Sequence, residues 1–113
     1  MTGQLKLKRK DADALREFVE KLRARLGADL LALKLFGSKA SGRDAPDSDI
    51  DVAVIVNEGS PEIWDQTLDA AFEVNLSHDV YISPRVIEQR ILADPVWRIT
   101  PFLRAVEEEG LSL

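Results

Sequence analysis

Cysteine is absent from the chain and histidine occurs once, at His78. That excludes disulfides and thiolate-bound metals, and leaves zinc with few of its usual ligands. No stretch approaches the roughly 18 apolar residues of a membrane span, and the charged start lacks the apolar core of a signal peptide. Low-complexity tracts are also missing. Charge is not predominantly basic: 15 lysines and arginines stand against 20 aspartates and glutamates, a net −5. A polyanionic partner is therefore repelled on average, and free DNA or RNA is not expected as a substrate. These absences point to a soluble protein, expected in the cytoplasm.

What is present suffices for one core. The 113 residues are 45% hydrophobic, enough for a single domain over residues 11–113 behind a basic tail at 1–10. The chain is organised around Leu30 to Asn57. Leu30 to Phe36 and the β-branched run Ile50 to Val56 read as strands. Between them lies a loop that carries Gly37-Ser38 at its start, Gly42 in the middle, Pro46 near the end, and then Ser48-Asp49-Ile50-Asp51.

Side chains at i and i+2 of a strand point the same way, roughly 6.6 Å apart. Asp49 and Asp51 can therefore converge on one cation. Oxygen-only donors favour Mg²⁺ or Mn²⁺. Glycine at position 37 admits a phosphate close to the backbone, where turn N–H groups and the Ser38 hydroxyl can hold its oxygens. Cation and phosphate grip together suggest a metal-bound nucleoside triphosphate. Asp47, Asp49, Asp51 and Glu58 also imitate four positions of a calcium-binding EF-hand loop. Val52 stands where that loop needs glycine, however, and a strand follows where a helix is required.

Gly37-Ser38, ten intervening residues and Asp49-Ile50-Asp51 resemble the signature of the DNA polymerase β-like nucleotidyltransferase superfamily. The pattern is most similar to its smallest branch, the minimal nucleotidyltransferase (MNT) domain, and Ala40, Gly42, Ser48 and Val54 fill further positions of it. The resemblance implies a third carboxylate on a later strand, for which Asp79, heading His78 to Ile82, is the candidate. It also implies an α/β (α+β in some schemes) fold: a small mixed sheet of three to four strands with helices mainly on one face.

The rest of the chain reads as scaffold. Ala14, Leu15, Phe18, Val19, Leu22 and Leu26 recur at helical spacing between a cap at Asp11 or Asp13 and a stop at Gly27. Ser60-Pro61 opens a second helix, whose stripe of Ile63, Trp64, Thr67, Leu68, Ala71, Phe72 and Asn75 is expected in the core. Its crossover brings a strand over Asp79 to Ile82 beside the first two. Ser83-Pro84 is expected to open a third helix through Leu92, broken by Pro95, and Thr100-Pro101 a last one stopped by Gly110. Glu107, Glu108 and Glu109 put negative charge at that helix's unfavourable end. His78, next to Asp79, is expected to face the other way and to be structural.

By the resemblance, an acceptor hydroxyl attacks the α-phosphorus of ATP and pyrophosphate leaves. Asp49, Asp51 and Asp79 are the catalytic and metal-holding carboxylates, with two Mg²⁺ ions expected. Gly37 and Ser38 hold the terminal phosphates, and Lys39 and Arg43 are further phosphate contacts. MNT proteins pair with a separate helical HEPN-domain ribonuclease toxin and neutralise it by moving AMP from ATP onto a tyrosine. The expected function is accordingly a protein adenylyltransferase antitoxin, in a hetero-oligomer with its toxin. Two alternatives stand beside it: a non-catalytic module that blocks its helical partner by occlusion, and transfer to a small molecule.

Overall fold

Two β-branched or leucine-rich runs set the centre of the sheet. The computed structural model describes residues 8–36, 49–98, 100–101, 103–104, 106 and 110–113. Strand β1 (Leu30–Phe36) and strand β2 (Ile50–Val56) begin and end where their side chains predict, paired antiparallel with Phe36 opposite Asp51. Strand β3 (Ile82–Glu88) joins β2 in parallel, and the short β4 (Leu111–Ser112) joins β1 antiparallel, giving the order β3-β2-β1-β4. β2 is central and buried on both faces everywhere except at Asp51. A continuous Val/Ile run is what a doubly covered strand requires, so the carboxylate that interrupts it stands out.

Helix α1 (Arg9–Leu26) and helix α2 (Pro61–His78) cover one face. Phe18, Leu22 and Leu26 of α1 and Ile63, Ala70, Ala71 and Val74 of α2 pack there on Leu33, Leu35, Val52, Val54 and Val56. Ion pairs from Glu73 to Lys21 at 3.1 Å and to Arg25 at 2.7 Å join the two helices at their rim. On the opposite face Phe36, Ala53 and Ile87 pack with Leu103 and Val106 from the last helical turn, and Ile91 and Leu92 lie against them. Two further short helices, α3 (Gln89–Ala93) and α4 (Pro95–Arg98), lead to it.

The terminators act as the sequence predicts. Gly27 takes a left-handed φ of 54° at the end of α1 and returns its N–H to the Arg23 carbonyl. A Cβ at Gly110 would collide with the Val106 carbonyl oxygen, so only glycine lets the chain turn there into β4. Ser60 caps α2 by accepting the Ile63 N–H at 3.2 Å, with Pro61 in the first turn. Helix α1 starts earlier than its apolar period suggests: Arg9 and Lys10 are helical, and Lys8 precedes them without any side-chain cap.

The Ser83-Pro84 pair does not open a helix. It lies inside β3, and helix forms only from Gln89. The same dipeptide that starts α2 is overridden here, because β-branched Val86 and Ile87 fit the open edge of β2. Pro84 is tolerated because β3 is an edge strand. Ile50 donates to the Tyr81 carbonyl at 2.9 Å, so by the alternation of a parallel ladder the nitrogen of Pro84 faces away from β2.

Candidate active site

Asp49 and Asp51 sit at the end of the sheet where β2 begins. Asp49 is exposed and Asp51 half-buried, and β-alternation sends both to the face that carries Ala53 and Phe36 rather than to the α1–α2 core. Burial raises the pKa of Asp51 above the usual aspartate value, and the Asp49 charge raises it further. The Arg85 guanidinium opposes both. Two carboxylates strain against each other here with oxygen donors alone. That is the chemistry of a site for a hard divalent cation, which would relieve their repulsion.

Across the parallel ladder Asp51 pairs with Ser83, and Ala53 pairs with Arg85. Ser83 and Arg85 therefore project on the same face as Asp51. Sequence reasoning missed both, because it placed them at the start of a helix. The signal that could have found them is the period-two pattern from Ile82 to Ile87.

Asp79 is not on a strand. It is the residue that ends α2, in the left-handed region at φ 54°, with its N–H returned to the Asn75 carbonyl. Its side chain is fully exposed, 3.8 Å from Lys10. β3 begins three residues later, because Asn75 closes the turn: its side chain accepts from the Ile82 N–H at 2.7 Å and donates to the Ile82 carbonyl at 3.2 Å. Asp79 lies in the connection that enters β3 at the Asp49 end of the sheet. Among the described residues no group of three or more acidic, histidine or cysteine side chains is gathered to hold a metal.

His78 ends α2 as a helical residue, with Nε2 3.0 Å from Glu17 Oε1 of α1. That contact ties α2 to α1, and His78 is helical where strand alternation beside Asp79 was expected. Gly37, Ser38, Lys39 and Arg43, together with Glu107, Glu108 and Glu109, lie outside the described residues. Gly37 is bonded to Phe36, the residue opposite Asp51.

The model of the nucleotidyltransferase domain family matches residues 15–110. No curated protein matches the chain. Among solved structures, a putative minimal nucleotidyltransferase is 26% identical with a TM-score of 0.58, over 96% of this chain and 98% of that one. A mutant of the toxin–antitoxin MntA-HpeT matches at 19% identity and TM-score 0.58, over 86% and 69% of the two chains. A toxin–antitoxin with AMP-PNP matches at 20% and 0.54, over 93% and 72%. No helix among the described residues is long and apolar enough to cross a membrane.

Proposed function

The chain belongs to the nucleotidyltransferase domain family, and on that premise we propose that it is an adenylyltransferase antitoxin, moving AMP from ATP onto a tyrosine of a cognate helical HEPN-type toxin. The observation that carries the proposal is the Asp49–Asp51 pair at the start of the central strand: Asp51, the one break in that buried strand, has its pKa raised by burial and by the Asp49 charge, and it lies beside Ser83 and Arg85. Likeness to a toxin–antitoxin with AMP-PNP supports the nucleotide and the partner class.

In the proposed reaction the tyrosine oxygen bonds to the α-phosphorus, the bridging bond to the β-phosphate breaks, and pyrophosphate leaves with the electron pair. Asp49 and Asp51 would hold Mg²⁺ on the triphosphate, with Asp79 as the proposed third carboxylate. A divalent cation bound there would supply positive charge to stabilise the charge that develops in the transfer. Asp79 would take the tyrosine proton once it leaves Lys10, an exposed pairing that costs little to break. Gly37 and Ser38 would seat the terminal phosphates, with Lys39 and Arg43 as further contacts.

Intact-mass spectrometry of the co-encoded helical protein, after incubation with this chain, ATP and Mg²⁺, tests the reading. A gain of AMP units with the wild type, absent with an Asp49→Asn, Asp51→Asn double variant, is the expected result. A stable complex without any mass gain would replace it with neutralisation by occlusion.

A further inference from the structure

The stripe of α2 that its sequence assigns to the core is only partly buried. Of that stripe Ile63, Thr67 and Ala71 face the sheet, joined by Ala70 and Val74, whereas Trp64, Leu68 and Phe72 are 44%, 49% and 64% exposed, and Leu76, outside the expected stripe, is 70% exposed. Spaced four apart, these form one ridge about 18 Å long. Its Trp64 end opens into a cleft of about 510 Å³, walled by Trp64, Val86 and Ile91, with Asp65 and Glu88 among its lining. A ridge this apolar on a small chain marks an interaction surface.

Charge selects the occupant. Helix α2 carries Glu62, Asp65, Asp69 and Glu73, and no lysine or arginine. These acids line one flank of the ridge, with Glu73 already held by Lys21 and Arg25. A second copy docked antiparallel would set the Asp65–Asp69 flank against its own copy, and an anionic membrane would be repelled likewise. Strand addition along the neighbouring β3 edge is obstructed too. Asn75 occupies the outward groups of Ile82, and Pro84 has no N–H to offer.

We propose that this ridge is the docking surface for an amphipathic helix of the partner protein, whose apolar stripe is flanked by lysine and arginine. The proposal rests on the toxin–antitoxin reading for the existence of that partner. One arginine of the partner helix fits the cleft, its stem against the Trp64 ring and its guanidinium toward Asp65, since Glu88 is already held by Arg90 and the Gly59 N–H.

Isothermal titration of the co-encoded helical protein into this chain tests the surface. Phe72→Asp is expected to weaken binding about 30-fold or more. An Asp65→Lys, Asp69→Lys variant is expected to weaken it about 10-fold at low salt and less at high salt. Thermal melts confirm folding, and Leu68→Ser is a second, milder probe. The Asp49→Asn, Asp51→Asn variant is expected to bind as the wild type does. Unchanged binding by Phe72→Asp and Leu68→Ser overturns the proposal, as does absence of binding by the wild type. So does a homodimer of this chain that Phe72→Asp dissociates. Failure of AMP transfer with the ridge effects intact removes the catalytic reading alone.

Discussion

Glu88, the last residue of β3, accepts the backbone N–H of Gly59 at 2.7 Å and so ties the end of the sheet to the turn that launches α2. That hydrogen bond, helped by Arg90, holds the Glu88 carboxyl below its ordinary value of 4.5. A depressed folded pKa contributes stability that is present above the unfolded pKa and lost as pH falls through the folded one. Denaturation midpoints of the wild type should therefore fall between about pH 6 and about pH 3. Glu88→Gln should lower stability at the upper end and flatten that slope. An unchanged slope would mean the contact carries no pH dependence.

Asp51 has the opposite sign. Its folded pKa is raised by burial and by Asp49, so its ionisation costs stability as pH rises through the aspartate range. Asp51→Asn should raise the melting temperature without metal by about 2 °C, while AMP transfer falls about 100-fold or more. Added Mg²⁺ should stabilise the wild type and leave the variant unmoved. A variant that melts lower than the wild type without metal would contradict the charge strain.

Thr67 is buried at 1% exposure, and its hydroxyl has no partner among the described residues. Replacing it with valine keeps the shape and removes the desolvated oxygen. Thr67→Val should gain about 1 kcal/mol in urea unfolding at unchanged m-value. A loss would mean that the hydroxyl has a partner after all.

Asp79→Gly separates conformation from chemistry at the end of α2. Glycine suits the left-handed φ of 54°, and the exposed Lys10 pair contributes little. Stability should hold or rise by up to about 1 kcal/mol, while AMP transfer falls. Full activity in the glycine variant would remove Asp79 from the reaction.

Much of the architecture was legible because it depends on local periodicity. β1, β2, the Gly27 stop and the Ser60-Pro61 start stand where their residues predict. Ser83-Pro84 was misread because a dipeptide signals helix only if no strand edge competes for the same backbone. Asp79 was misread because the helix runs on to His78 and Asn75 closes the turn onto Ile82, which delays the strand. Trp64 and Phe72 were expected inside and stand exposed, because the apolar arc of α2 is wider than the sheet and α1 can cover.

The sequence by itself determined which oxygen donors stand at the start of β2. An Asp-x-Asp pair entering a Val/Ile strand needs no partner element to define those donors or their common direction. Only the tertiary structure decided which groups meet that pair and which face stays uncovered. Parallel pairing with β3 brings Ser83 and Arg85 to Asp51, and α2, packed beside α1, leaves its Trp64–Leu76 ridge in solvent. Register and coverage depend on contacts between residues far apart in the chain, and one-dimensional spacing does not encode them.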